Sequence, residues 1–270
     1  MQCFCLWLAV QILLESFPVS SSGHCSLLEQ YLQKYGYQIN HYQDFFLHNK
    51  ATSLLRVAIL DHFVHGVTVV VIAVFFFSRW SWLLRNIWLC WRIVVKIVGL
   101  AICADLITVL FYLVFGWYKV AIPVVIGFFI TGLSLISLRF VPRAPFAPLS
   151  WQKACVLGVV QGFALLPGIS RFAATYVCAR WLALSPYKAF EVSWLIDWPL
   201  IAAAFLHSAG LIIVTAPESL LLRPTILAVM SIAGIVSFYA FRCVAHLAYE
   251  EKLFWFGVYM IIPIIVALLI

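Results

Sequence analysis

Charge is scarce in this sequence: only 10% of its 270 residues are Asp, Glu, Lys or Arg. A soluble domain carries about a quarter. With 65% hydrophobic residues and a mean hydropathy of +1.07, the chain cannot bury its apolar side chains in a core of ordinary surface-to-volume ratio. Lipid must therefore solvate much of its surface, and the sequence predicts an integral membrane protein.

Other patterns are also missing. The eight cysteines form no CxxC pair and no zinc-ligand spacing, so neither a disulfide framework nor a zinc site is predicted. The net charge of +7 falls mostly between apolar runs, which suits an anionic membrane surface and leaves no basic face for nucleic acid. Residues 1–10 lack the positively charged start of a cleavable signal peptide. The expected environment is the membrane, without a nucleic-acid partner.

Apolar runs of about 20 residues predict six full transmembrane helices in an all-α polytopic membrane protein. These runs lie at about 54–77, 93–115, 120–140, 194–215, 225–245 and 253–270. Helices are expected because an open sheet leaves backbone groups unsatisfied in lipid. We interpret 1–270 as a single integral membrane domain, with its longest polar loop, 25–53, outside the hydrocarbon.

Two further apolar segments are interrupted. Residues 2–24 run into a proline and a serine-rich turn, and residues 154–184 are broken by Pro-Gly-Ile-Ser-Arg. Because non-helical backbone at membrane depth must line a cavity or be buried in protein, each segment predicts a re-entrant hairpin of two half-helices. Both carry Val-Gln, then Pro, then Ser, and three predicted spans separate them. This pattern indicates inverted repeats with a binding site where the broken helices meet.

The first interrupted segment carries a carboxylate. Gln11 and Glu15 are four residues apart and share one helix face. A carboxylate in a membrane segment is costly, so it should have a cation, a metal or water as partner. The alternative is an interfacial Glu15 near a short N-terminus.

The serine turn that follows offers anion-binding groups. Ser20, Ser21 and Ser22 can expose several backbone N–H groups at the start of a half-helix, which suits a phosphate. His24 is three residues beyond Ser21, within reach as a proton donor or acceptor. A serine turn by itself is more often a helix cap, but with Glu15 in the same membrane segment it favours a functional site.

The second turn supplies a positive charge. Gly168 permits left-handed backbone, Ser170 is a good N-cap residue, and Arg171 falls in the first turn of the next half-helix. Its planar guanidinium can grip a phosphate through two parallel hydrogen bonds. Thr175 lies one turn further on the same face. The structural alternative is that Arg171 only pairs with Glu15 or with an interfacial lipid.

Other polar residues in apolar runs carry weaker signals. His62 and His65 form an i, i+3 pair that could hold a metal, but no third ligand is apparent, so roles facing an internal cavity or pairing helices are favoured for them and for Asp61. Asp105 and Asp197 are lone carboxylates, each expected to pair with a basic group.

These residues match a known pattern. Residues 11–24 resemble the first signature of the undecaprenyl-diphosphate phosphatases, the bacitracin-resistance proteins of bacteria: Glu or Gln, three residues, Glu, then Pro-Val-Ser-Ser-Thr/Ser-Gly-His. Residues 167–175 are similar to the second, Pro-Gly-x-Ser-Arg-Ser-x-x-Thr. Regions 60–74 and 254–259 also resemble the family. The likeness spans nearly the whole chain, and two motifs in the right order make it specific.

The resemblance implies interlocked inverted repeats with two re-entrant hairpins meeting at one site. It implies hydrolysis of undecaprenyl diphosphate to the monophosphate and inorganic phosphate in the bacterial cytoplasmic (inner) membrane. That reaction recycles the lipid carrier for peptidoglycan synthesis and confers bacitracin resistance. The resemblance leaves open a homodimer, the length of the prenyl chain, and whether serine or water is the nucleophile.

Roles follow by position. Glu15 and Gln11 correspond to the acidic pair that binds a divalent cation, Mg or Ca, or handles protons. Ser21 and His24 correspond to the nucleophile or proton-relay pair, and Arg171 to the phosphate clamp. Five more residues are expected to contact the substrate: Ser20, Ser22, Gly168, Ser170 and Thr175.

The chain departs from the family pattern in the second turn, where Phe172 stands in place of the usual Ser and Ala173 where Gly is common. Gln11 is within the family pattern but offers an amide instead of a carboxylate, which weakens a metal site made of two carboxylates. The alternative function is a transporter or flippase for an anionic polyprenyl lipid, since broken helices in inverted repeats are typical of carriers. A purely structural membrane subunit does not explain why charged residues fall at the helix breaks.

Overall fold

A computed structural model describes residues 2–35, 53–118, 120, 122–142, 146–215 and 224–270. In these ranges the regular secondary structure is helical, with no strand. The α-helices, in chain order, are α1 (Gln2–Glu15), α2 (Ser21–Lys34), α3 (Ser53–Arg85), α4 (Ile87–Tyr118), α5 (Val124–Ser137), α6 (Trp151–Phe163), α7 (Arg171–Trp181), α8 (Pro186–Thr215), α9 (Pro224–Tyr249), α10 (Phe254–Tyr259) and α11 (Ile261–Leu269). A 3₁₀ turn, Leu138–Phe140, extends α5.

Within the described residues, four helices are long and apolar enough to cross a membrane. They are Ile59–Leu83, Ile87–Tyr118, Pro186–Val214 and Pro224–Tyr249. Each corresponds to one predicted span, and the predicted all-helical membrane class is confirmed: the chain is a multi-pass membrane protein. The other two predicted spans coincide with shorter apolar helices, Val124–Phe140 and Phe254–Leu269, and stay predictions as full crossings.

Two element boundaries differ from the sequence expectation. Helix α3 continues beyond residue 77 to Arg85, so the Trp- and Arg-rich stretch that follows the apolar run is also helical. Asn86 then separates α3 from α4, its side-chain amide donating to the Trp82 carbonyl at 2.8 Å. Helix α2 occupies the start of the predicted polar loop 25–53, whose part from 36 to 52 lies outside the described residues.

Packing relates the first half of the chain, α1 to α5, to the second half, α6 to α11. Helix α1 packs on α9, and α6 packs on α4. Helix α3 packs against α8, and α5 packs against α10 and α11. Each half therefore covers the other. This exchange brings the turn after α1 and the turn after α6 to one place.

The largest buried cluster of side chains supports these turns from one side. It joins α3, α7, α8 and α9 through aromatic rings. The ring of Phe241 lies 4.8 Å from Trp194 and 5.5 Å from Phe190. These separations are in the range of favourable aromatic pairs. Phe172 and Tyr176 of α7 belong to the same cluster, so the helix that begins at the second turn is packed against these rings.

Candidate active site

The first turn ends in a capped helix. Ser20 is the N-cap residue of α2, and its Oγ accepts a hydrogen bond from the Gly23 N–H at 3.2 Å. The remaining free N–H groups at the start of α2 carry partial positive charge. Ser20, Ser21 and Ser22 all line a cavity next to this helix end. The predicted serine turn therefore both caps the helix and faces a cavity.

The second turn uses the same device. Ser170 is the N-cap residue of α7, and its Oγ accepts from the Ala173 N–H at 3.3 Å. Arg171 lies in the first turn of α7 and forms an ion pair with Asp197 of α8, with 3.1 Å between Nη1 and Oδ1. The pairing expected for Asp197 is thus found, and its partner is Arg171.

Both turns line one cavity of about 550 Å³. The N-termini of α2 and α7 face it, so two helix dipoles present their positive ends to the same space. Arg171 is the only Lys or Arg among the described residues that line it. Two helix N-termini and a guanidinium are groups that suit an anion such as a phosphate group.

Close backbone contacts hold the two turns against α5. A Cβ built on Gly127 of α5 would lie 2.7 Å from the Gly168 Cα, and one on Gly23 would lie 3.1 Å from the same atom. The Thr131 hydroxyl donates to the Gly168 carbonyl and accepts from the Ser170 N–H, both at 3.1 Å. Gly168 has a φ of +81°. The glycines thus permit the approach that joins the two turns.

Replacing Gly168 with alanine is expected to disrupt the second turn. A left-handed φ costs a non-glycine residue of order 1–3 kcal/mol. The added Cβ would also lie 3.1 Å from the Gly127 Cα. We expect a clear fall in the unfolding temperature of the detergent-solubilised protein, together with loss of the catalytic activity proposed below.

Gly116→Ala in α4 is the matched control, since a Cβ there meets no described atom within 4 Å. Alanine in a helix interior is favoured over glycine by roughly 0.5–1 kcal/mol, so stability should hold or rise slightly. Equal effects of the two substitutions would contradict the role of Gly168.

A network of polar side chains surrounds Glu15 at the end of α1. Its carboxylate forms an ion pair with Nδ1 of His65, accepts from the Thr68 hydroxyl, and lies 3.4 Å from the Gln11 amide nitrogen. The same amide nitrogen donates to Asp61. The cavity-facing role favoured for Asp61 and His65 is therefore found, and all five residues line the cavity.

Sequence reasoning missed Thr68 and the pairing of Glu15 with His65. A signal was present, because Asp61, His65 and Thr68 fall at i, i+4 and i+7 and so share one face of α3. A polar stripe on an apolar helix indicates a face turned toward a cavity. His62, the other member of the histidine pair, lines the cavity with its ring centroid 6.0 Å from that of His65.

The residues around Glu15 suit a divalent cation whose coordination is completed by oxygens of a bound phosphate. In the described part of the chain, no three His, Cys, Asp or Glu side chains are grouped to hold a metal by themselves. Mg²⁺, however, is usually bound through one or two carboxylates plus substrate phosphates. The Gln11 side chain is fully buried, and its Oε1 has no hydrogen-bond partner among the described residues. An unused oxygen beside a carboxylate fits such an ion.

Three predicted site residues do not line the cavity: His24, Gly168 and Thr175. The Nδ1–H of His24 donates to the Ser20 carbonyl at 2.7 Å, so its Nε2 is left to accept from the Tyr259 hydroxyl at 3.2 Å. The Thr175 hydroxyl donates to the Arg171 carbonyl at 2.9 Å, within its own helix. The His24 and Thr175 side chains thus bond backbone carbonyls at the two helix starts and do not face the cavity.

The Phe172 side chain, which replaces the family serine, packs into the core. Its ring stacks on Trp194 with centroids 4.7 Å apart and contacts Phe190 edge-on at 5.5 Å. It is only 4% exposed. Phe172 therefore forms an apolar wall beside the second turn, and the polar groups of that turn come from Ser170 and Arg171.

These features define a class: a multi-pass membrane protein with a polar cavity between two serine-capped helix breaks. The chain belongs to the family described as bacitracin resistance protein BacA, whose model matches residues 6–266. Curated relatives named undecaprenyl-diphosphatase agree over almost the full length. The protein of Treponema denticola is 27% identical over 94% of this chain and 91% of its own. That of Rhodopirellula baltica is 28% identical over the same shares.

Proposed function

We propose that this protein hydrolyses undecaprenyl diphosphate to undecaprenyl phosphate and inorganic phosphate in the bacterial cytoplasmic membrane. The observation that carries the proposal is the cavity where Arg171 and two helix N-termini face the carboxylate of Glu15. A diphosphate needs the positive groups, and its hydrolysis needs a proton acceptor beside them. The relatives bear the name of this activity, which would recycle the lipid carrier for peptidoglycan synthesis and confer bacitracin resistance.

The reaction is a phosphoryl transfer, which depends on charge neutralisation and in-line attack. Arg171 and the N–H groups of both turns hold the terminal phosphate. An oxygen of water or of Ser21 forms a bond to the terminal phosphorus, and the bond from that phosphorus to the bridging oxygen breaks. Undecaprenyl phosphate leaves with the bridging oxygen, and Glu15 takes the proton of the nucleophile. If Ser21 attacks, a water molecule then hydrolyses the phosphoserine.

A divalent cation, Mg or Ca, would be held by Glu15 and the Oε1 of Gln11. When bound, it would neutralise charge on the diphosphate. The substrate phosphates would complete its coordination. His24, behind the first turn, would hold Ser20 and its neighbours in place or relay protons, and Ser20, Ser22 and Ser170 would bind the substrate directly.

The broken helices are proposed to be re-entrant hairpins of two inverted repeats. Support comes from the reciprocal packing, in which α1 covers α9 and α6 covers α4. The isoprenoid tail would then lie among lipid-facing helices while the diphosphate enters the cavity between the turns. A homodimer stays a prediction.

The test is phosphate release from undecaprenyl diphosphate by detergent-purified protein. We expect one inorganic phosphate for each undecaprenyl diphosphate consumed. No phosphate should come from undecaprenyl monophosphate, which has no phosphoanhydride bond. The same protein in liposomes should move no lipid independently of hydrolysis. Movement of the diphosphate lipid between leaflets without phosphate release would instead support the transport alternative.

A further inference from the structure

Position 11 of the first signature is glutamine in this chain, so α1 supplies a single carboxylate, that of Glu15. A second carboxylate nevertheless reaches the same place from α3. The Gln11 side-chain nitrogen lies 3.4 Å from the Glu15 carboxylate and also donates to the Asp61 carboxylate. One amide thus joins two carboxylates that are 46 positions apart in sequence, and both line the cavity.

Among the described residues, Asp61 forms no ion pair, whereas the other two carboxylates nearby each have one. His65 forms an ion pair with Glu15, and Arg171 forms one with Asp197. The hydrogen bond that Asp61 accepts from Gln11 comes from a neutral amide. Two like charges held by one amide repel each other, and a buried charge is retained only when it is compensated. A second carboxylate this close to Glu15 therefore calls for a compensating positive charge beside the phosphate-binding groups.

An oxygen ligand without a partner lies at the same point. Gln11 is fully buried in the cavity wall, and no described residue bonds its Oε1. Carboxylate and amide oxygens are the ligands that Mg²⁺ and Ca²⁺ prefer. A carboxylate on each side and an unused amide oxygen between them would suit a hard divalent cation.

We propose that Asp61 supplies the second carboxylate of the site, and that Asp61, Glu15 and the Gln11 oxygen bind a divalent cation. In this arrangement α1 supplies one carboxylate and the amide, and α3 supplies the other carboxylate. The role of this cation in catalysis rests on the proposed function. Binding of the cation by Asp61, Glu15 and Gln11 can be measured without any substrate.

The experiment is a titration of the full-length protein in detergent with Mn²⁺ alone, with free Mn²⁺ measured by electron paramagnetic resonance. Asp61→Asn should weaken binding tenfold or more, since loss of metal-site partners typically costs 10–100-fold in affinity. The double variant Gln11→Glu/Asp61→Asn returns the carboxylate to α1 and should bind with near wild-type affinity. Asp105→Asn, which removes a carboxylate outside the cavity lining, should leave affinity unchanged.

Wild-type affinity in Asp61→Asn, or no Mn²⁺ binding by the wild-type protein, would overturn the proposal. So would a double variant that binds no better than Asp61→Asn. If Asp61→Asn is too unstable to titrate, the double variant decides alone, because it keeps the net charge of the site. Phosphate release by the same preparations separates the two proposals. If phosphate is released but the affinity for Mn²⁺ does not depend on Asp61, only the cation-site proposal is wrong. If the affinities for Mn²⁺ change as expected but no phosphate is released, only the proposed hydrolase function is wrong.

Discussion

Arg171→Ala is expected to lower turnover of undecaprenyl diphosphate by roughly 10³-fold or more, as loss of a transition-state arginine can do in phosphoryl transfer. Such a loss corresponds to about 4 kcal/mol of transition-state stabilisation. The effect should be large because Arg171 is the only Lys or Arg that lines the described part of the cavity. The measurement is the initial rate of phosphate release at saturating lipid.

Two variants test whether the two parallel hydrogen bonds of the Arg171 guanidinium matter beyond its positive charge, and whether loss of any arginine lowers the rate. Arg171→Lys keeps the charge but cannot donate two parallel hydrogen bonds to one phosphate, so its rate should fall between those of wild type and Arg171→Ala. Arg92→Ala removes an exposed arginine whose guanidinium lies over Trp91, and it should leave the rate unchanged.

Asp197 must also be considered, since Arg171→Ala removes its ion-pair partner. A buried charge left alone is destabilising, so the unfolding temperature should fall. The double variant Arg171→Ala/Asp197→Asn removes that charge and should recover stability without recovering turnover. Near-normal turnover in Arg171→Ala would rule out the phosphate clamp, and recovery of turnover in the double variant would show that the loss came from the fold.

Much of the fold could be predicted because its signals are local. An apolar run of 20 residues contains its own hydrogen bonds once it is helical, so four long helices follow from the sequence alone. The same holds for the two breaks, where Pro18 and Gly168 lie in the turns between the half-helices and Ser20 and Ser170 cap the helices that follow. Boundaries were less certain: Arg85 ends α3 well beyond the apolar run.

The partners of the site could not be predicted, because they depend on tertiary packing. Glu15 and Arg171 were identified from their unusual places in apolar segments, but nothing local shows that Glu15 pairs with His65 or Arg171 with Asp197. The orientation of His24 was equally hidden, since its ring turns toward Tyr259 of α10, 235 positions away. Motif spacing indicated which residues gather but not which way each side chain turns.

Phe172 shows how packing changes the meaning of a departure from a pattern. In the sequence it suggests a bulkier and less polar turn. In the structure its ring is stacked on Trp194 in the core, so the bulk lies beside the turn and not within it. The loss of the family serine therefore removes a hydroxyl from this position and leaves the helix cap and Arg171 in place.

Glu15→Gln should have the second large effect. General acid–base groups typically contribute 10²–10⁴-fold to a rate, so a loss of about that size is expected, together with loss of stimulation by divalent cations. The reason is geometric as well as electrostatic. The Glu15 carboxylate is contacted by the Thr68 hydroxyl, by His65 and by the Gln11 amide, and a glutamine would turn its own N–H₂ toward one of these groups. The measurement is phosphate release as a function of Mg²⁺ and Ca²⁺ concentration.

Glu15→Asp keeps the charge on a shorter side chain and should restore part of both the rate and the cation stimulation. Glu250→Gln is the matched control, because Glu250 is exposed and pairs with Lys252 at 2.6 Å outside the cavity lining. Cation stimulation that survives in Glu15→Gln would exclude Glu15 as a ligand. A pure fall in rate with stimulation intact would place Glu15 in proton transfer alone, and the metal site would then have to depend on the other oxygens that line this cavity.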